Sequence, residues 1–147
     1  MARALSEARA AFLRGEVPVG AAIVGPDGTL VAAAGNRTRE LSDPTAHAEM
    51  LAIRAAAAAL GSERLVGHAL YVTLEPCAMC AAAIAHARIA RLVYGAADPK
   101  SGGVDHGARV FCHAQSHHVP EVVGGVGAAA AAELLKDFFK SLRRAGP

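Results

Sequence analysis

Tryptophan is absent, and the aromatic complement is four Phe and two Tyr in 147 residues. Stacking platforms for single-stranded nucleic acid are therefore scarce. An excess of one charge is missing too: 15 Lys+Arg against 13 Asp+Glu leave +2, so no global field marks a nucleic-acid or membrane binder, and any basic footprint must be local. No apolar run approaches the ~20 residues of a membrane span. The opening segment MARALSEARAAFLRGE is interrupted by Arg3, Glu7, Arg9 and Arg14 and offers no apolar signal-peptide core. The expected location is cytoplasmic. The three cysteines are too few, and odd in number, for a disulfide framework.

What is present points to a folded chain. Hydrophobic residues make up 53%, charged residues 19%, and the mean hydropathy is +0.29, which excludes a disordered polymer. The length fits one domain over residues 1–147, with a core rich in small residues because so much of the apolar content is alanine. Residues 4–14 show helical spacing at Leu5, Ala8, Ala11 and Phe12, stopped by Gly15. VGAAIVG (19–25) and LVAAAG (30–35) flank Pro26-Asp27-Gly28-Thr29, which predicts a β-hairpin.

Thr45 is the expected N-cap of an alanine-rich helix from Ala46 to Leu60, ended by Gly61. A strand is expected over 68–74, with Pro76 at the first helical position of a helix reaching about His86. A strand over 91–95, an unassigned glycine- and histidine-bearing stretch over 98–118, a strand within 119–126 and a helix over 128–144 complete the chain. This order of elements implies an α/β fold, a mixed sheet with helices on both faces.

His47-Ala48-Glu49 and Pro76-Cys77-Ala78-Met79-Cys80 each fall at a helix start. The helix between them carries the chain roughly 22 Å outward at about 1.5 Å per residue. The following strand returns it roughly 20–23 Å at about 3.3 Å per residue. The two motifs therefore meet. One imidazole and two thiolates at adjacent helix N-termini suit zinc, and three protein ligands leave the fourth tetrahedral position open, the mark of a catalytic site. Glu49, on the turn that carries His47, is placed to move protons without holding the metal. H-x-E…P-C-x-x-C is the established signature of the zinc nucleobase deaminases. A redox pair or a closed structural zinc site is the plainer alternative: the latter needs a fourth ligand, for which His86, His113, His117, His118 and Cys112 are available, and in neither does Glu49 have a role. Gly124-Gly125-Val126-Gly127 lacks the Lys-Ser/Thr of a phosphate loop, so no nucleotide cofactor is expected.

Beyond these motifs, VPVGAAIV (17–24), GNR (35–37), DPTAHAEMLAIR (43–54), LYVTLEPCAMC (70–80), HARIARLVYGAADPKSG (86–102) and ELLKDFFKSLRR (133–144) resemble the bacterial tRNA-specific adenosine deaminases. The zinc core is shared with guanine and cytosine deaminases, which remain the alternative among enzymes. A non-catalytic zinc module is the alternative of another class. The resemblance implies a cytidine deaminase-like three-layer α/β/α sandwich around a five-stranded mixed sheet, usually as a homodimer, acting on the tRNA anticodon stem-loop. It implies one Zn2+ per chain on His47, Cys77 and Cys80, with Glu49 as proton shuttle. It further implies that Asn36 hydrogen-bonds the flipped nucleoside, and that the Ala48 N–H and the Glu75 carbonyl orient the base and leaving amine. Asp98 and Lys100 match the loop that contacts anticodon nucleotides. Phe138 and Phe139, being adjacent, point to different sectors of their helix; the expectation puts one in the core and Phe139 near substrate. Lys136, Lys140, Arg143 and Arg144 form a basic stripe at helical spacing, either a solvated face or a contact for RNA phosphates. Cys112 is expected to be an inert small hydrophobe. The segment 112–118 is richer in His than the family pattern.

Overall fold

The computed structural model describes residues 1–146. Its elements are α1 (Ala2–Leu13), β1 (Gly20–Val24), β2 (Leu30–Gly35), α2 (Ala48–Leu60), β3 (Ala69–Leu74), α3 (Ala78–His86), β4 (Arg91–Ala96), a short 3-10 turn (Val110–Cys112), β5 (Glu121–Val123) and α4 (Ala128–Ala145). The sheet order is β2-β1-β3-β4-β5. β1 runs antiparallel to both β2 and β3, whereas β3–β4 and β4–β5 are parallel. This is the five-stranded mixed sheet the resemblance implies.

The hairpin turn forms as its residues dictate. Gly28 takes a positive φ of 84°, Asp27 accepts the Thr29 N–H at 3.0 Å, and Gly25 donates to the Thr29 carbonyl at 2.8 Å. On one side of the sheet α1 packs with α4, and on the other α2 packs with α3; α1 and α2 share β1 and β2 as neighbours. Small residues let these layers approach closely. Ala4, Ala8 and Ala11 are fully buried, and a Cβ at Gly20 would overlap the Ala4 carbonyl oxygen of α1. At Gly35, its partner across the hairpin, a Cβ would lie 2.7 Å from the Glu7 carbonyl oxygen. Backbone therefore rests on backbone along this seam. The larger core side chains, Ile23, Leu65, Leu70, Ile84, Ile89 and Leu92, fill the centre.

Two helix starts differ from expectation. α2 begins at Ala48 with His47 as its N-cap, not at Ala46, because Thr45 spends its N–H and hydroxyl on Asp43 Oδ1, at 2.8 and 2.7 Å. The orphan Ala48 N–H donates to Asn36 Oδ1 at 2.7 Å. α3 begins at Ala78 with Cys77 as N-cap, which leaves Pro76 outside the helix, its carbonyl accepting the Gly103 N–H at 2.8 Å. The cap that satisfies the start of α2 thus comes from distant sequence, and Pro76 is held outside α3 by a contact from the far side of β4. The last strand is also shorter than expected: Pro120 has no N–H to give the ladder, and Gly125, at φ 84°, turns the chain away.

Candidate active site

The N-termini of α2 and α3 converge beside the sheet. His47 and Cys77 sit at the two N-cap positions in extended backbone, and Cys80 lies within the first turn of α3. His47 Nδ1 is 3.7 Å from Cys77 Sγ and 3.6 Å from Cys80 Sγ, and all three ligand atoms lie within 4.8 Å of one another. Zinc bonds of about 2.3 Å to sulfur and about 2.0 Å to nitrogen, at tetrahedral angles, put S and N about 3.5 Å apart, within about 0.2 Å of both separations. The trio has that spacing. The Cys77 thiol is pulled down to about 4, first by the Cys80 thiol that donates to it and then by His47. Cys80 is pushed up because its neighbour already carries the charge and because it is buried. Two sulfurs and an imidazole held this close are a donor set for a soft or borderline cation.

Among the described residues no other group of three or more His, Cys, Asp or Glu side chains has metal-holding geometry. His113 is engaged with the Ala108 carbonyl at 2.7 Å and His118 with the Ile89 carbonyl at 2.6 Å. Among the described residues no fourth protein ligand joins the trio, and so the closed structural site loses its premise. Cys112 is exposed, so it does not pack as the small hydrophobe expected from its type.

Beside the trio lies a cavity of about 250 Å3 lined by Asn36, Thr38, His47, Glu49, Glu75, Cys77, Asp98 and Ser101 together with Val17, Val19 and Leu74. Glu49 is only 4% exposed, and burial pushes its carboxyl above the ordinary range. The Ala48 N–H expected to face the base is already donated to Asn36. Asn36 lines the cavity with Oδ1 thus occupied, which leaves its side-chain N–H2 to donate. Arg14 Nη2 fixes the Asn36 carbonyl at 3.2 Å. The wall below it is held by Glu16, a buried carboxylate that accepts the Arg39 N–H at 3.1 Å, the Glu40 N–H at 2.8 Å and the Thr38 hydroxyl at 3.4 Å.

Asp98 caps its own turn, accepting the Lys100 and Ser101 N–H groups at 3.2 and 2.9 Å. It also lines a wider groove of about 550 Å3 that shares Val17, Leu74 and Ser101 with the cavity and is otherwise walled by Ala97, Lys100, Leu135 and Phe139. Phe138 is buried against Phe12, ring centroids 5.6 Å apart, while Phe139 is 44% exposed on that groove. Lys136, Lys140, Arg143 and Arg144 are exposed and form no ion pair among the described residues. At about 100° per residue, Lys136 and Arg143 project within roughly 60° of Phe139, toward the groove side of α4.

Comparison with known proteins agrees with this geometry. The family model for the cytidine and deoxycytidylate deaminase zinc-binding region matches residues 1–96. A tRNA-specific adenosine deaminase of Agrobacterium fabrum is 57% identical over 143 residues, spanning 97% of this chain and 93% of the relative. The chain belongs to the tRNA-specific adenosine deaminase family. A solved structure from a study of A-to-I editing by tRNA:A34 deaminases at the wobble position superposes with a TM-score of 0.90 at 58% identity, covering 92% of this chain and 97% of that one. A guanine deaminase of Bacillus subtilis shares 41% identity over 65% of this chain and 61% of its own, with a TM-score of 0.62. The family assignment makes zinc the metal of the trio and confirms the deaminase fold.

The site also has a feature that motif reading missed. The Glu75 side chain is fully buried and accepts N–H groups from Asp98, Val104, Asp105 and His106. Burial alone would raise its carboxyl, but these hydrogen bonds outweigh that and hold it below the ordinary value. The only sequence signal was an acidic residue in an otherwise apolar strand end, next to Pro76.

Proposed function

We propose that this protein converts adenosine to inosine at the wobble position of a tRNA anticodon by zinc-dependent hydrolysis. The observation that carries the reading is a base-sized cavity, lined by Glu49 and by His47 and Cys77 of the metal trio, that shares walls with a groove large enough for flanking nucleotides. Held by the trio, zinc supplies the Lewis acidity that makes water nucleophilic near neutral pH. Glu49 accepts a proton from the attacking water, delivers it to the purine ring nitrogen, and carries the second proton to the departing amine. Adenosine and water thus become inosine and ammonia. The Asn36 N–H2 orients the nucleoside, and Asp98, Lys100 and Phe139 bound the path of its neighbours. An anticodon base is unpaired, so extruding it into the cavity costs little.

A tRNA substrate supports a cytoplasmic location. No described helix is long and apolar enough to cross a membrane. The family resemblance supports a homodimer, which light scattering of the purified protein checks; a monomer mass removes that part of the reading. Ammonia release from adenosine-wobble tRNA, guanine and cytosine tests the activity. Release from the tRNA alone is expected. Turnover of either free base with the tRNA untouched transfers the chain to the base deaminases, and no turnover at all makes it a zinc module.

The α4 stripe supplies the local positive charge that a near-neutral protein needs to hold a polyanion. Replacing Lys136, Lys140, Arg143 and Arg144 together by Gln is expected to raise KM for tRNA and leave kcat largely intact, since the stripe binds ground and transition states alike. For every phosphate that the variant no longer neutralises, the log–log salt dependence of binding should flatten by roughly 0.7–0.9. Parallel salt titrations with equal affinity would mean that the stripe is a solvated face and that the RNA grip lies elsewhere.

A further inference from the structure

The loop that forms one side of the groove is fastened from beneath by a single side chain. Glu75 Oε2 accepts three consecutive backbone N–H groups, from Val104 at 3.2 Å and from Asp105 and His106 at 3.1 Å. Its Oε1 accepts the Asp98 N–H at 3.1 Å and pairs with His106 Nδ1 at 2.7 Å. Both oxygens are therefore committed to the loop, and bonds to an ionised acceptor are the strong kind. The loop is shaped to meet the carboxylate. A Cβ at Gly102 would overlap Glu75 Oε2 and the Asp98 carbonyl oxygen. Farther along, the Tyr94 hydroxyl donates to Asp105, and the Gly103 N–H reaches the Pro76 carbonyl at 2.8 Å. Asp98, Lys100 and Ser101 are thereby presented to the groove on a segment that Glu75 holds at both ends.

We propose that the Glu75 carboxylate, with His106, is a positioning clamp that preforms the 98–106 loop, whose Asp98, Lys100 and Ser101 wall the groove, and so sets affinity for the polynucleotide rather than the rate of the chemical step. The inference rests on the tRNA reading above for its substrate but not for its structural half. A wall already ordered spares the binding step the entropy of ordering it. A neutral amide at position 75 cannot accept on both atoms, so Glu75→Gln must release part of the loop. Gly102→Ala reaches the same result from the loop side, with every group near the metal unchanged. His106→Ala, at a side chain 38% exposed, removes one bond and should do so most mildly.

The test has two readouts. Backbone amide exchange over 98–106 is expected to speed up in Glu75→Gln and Gly102→Ala, and less in His106→Ala, with zinc content held near that of the unaltered chain. With an anticodon stem-loop as substrate, Gly102→Ala should raise KM about tenfold or more, equivalent to losing one decade of affinity, while kcat stays within about threefold; His106→Ala should shift KM in the same direction and by less. Unchanged exchange in both Glu75→Gln and Gly102→Ala overturns the clamp. So does a fall in kcat at constant KM, which would place the loop in the chemistry, or loss of zinc from Gly102→Ala. The exchange measurement needs no substrate, whereas wild-type protein that leaves the stem-loop untouched overturns the tRNA reading alone. If Gly102→Ala does not fold, His106→Ala carries the kinetic test by itself, and an unchanged KM there overturns the proposal.

Discussion

Glu49→Ala is expected to lose roughly 10²- to 10⁴-fold or more of the deamination rate, the usual contribution of a positioned acid/base group, while the protein keeps close to one zinc per chain. The two halves of this expectation have separate causes. Glu49 stands outside the ligand trio, so removing it leaves His47, Cys77 and Cys80 in place. It is nevertheless buried on the wall of the same cavity, where loss of hydration lifts its carboxyl above the ordinary range. A carboxyl with raised affinity for the proton is better matched to taking one from water and returning it to a nitrogen near neutral pH. Metal analysis and ammonia release on one preparation decide the matter. A zinc-free Glu49→Ala protein would make the residue a ligand, and a fully active one would remove it from the proton path. Glu49→Gln, which keeps the volume, should be as inactive as Glu49→Ala and closer to wild type in thermal stability.

Cys77→Ser and Cys80→Ser should each lose both zinc and activity, and melt at lower temperature, because metal binding free energy is coupled to folding. Serine matches the shape but not the thiolate, and each sulfur supplies one of only three donors. The effect on melting should be larger for Cys80, which is fully buried in the first turn of α3, than for half-buried Cys77. Cys112→Ser should retain metal, activity and melting temperature, since Cys112 is exposed and outside the trio. Zinc lost from the Cys112 variant, or kept by either of the others, would overturn the ligand set.

Local chemistry was legible where neighbours in sequence are neighbours in space. Pro26-Asp27-Gly28-Thr29 announces its turn, and the alternation of helix and strand between His47 and Cys77 is enough to bring the metal ligands together. The misplaced helix starts show where such reading ends. Asn36 caps α2 from 12 residues away, and Gly103 takes the Pro76 carbonyl from beyond α3 and β4; no window around Thr45 or Pro76 contains either partner. The same holds for the buried carboxylates. The donors to Glu75 lie 23 to 31 residues downstream, and those to Glu16 lie 22 to 24 downstream. A glutamate's type says that it needs partners when buried, but only the fold says which.

The seam of backbone against backbone at Gly20 and Gly35 bears on how this protein can change over generations. Asn36 follows Gly35 directly, so its place in the cavity wall depends on how closely α1 lies on the hairpin. A methyl group at either glycine would push α1 off the hairpin and strain the hydrogen bond from Arg14, at its end, to the Asn36 carbonyl, although neither glycine lines the cavity. Variation in substrate preference is therefore open to the side chains of the two loops that wall the cavity and closed to the strands beneath them. Lineages that alter the base they accept should be expected to rewrite residues near Thr38 and Ser101 long before they part with those two glycines.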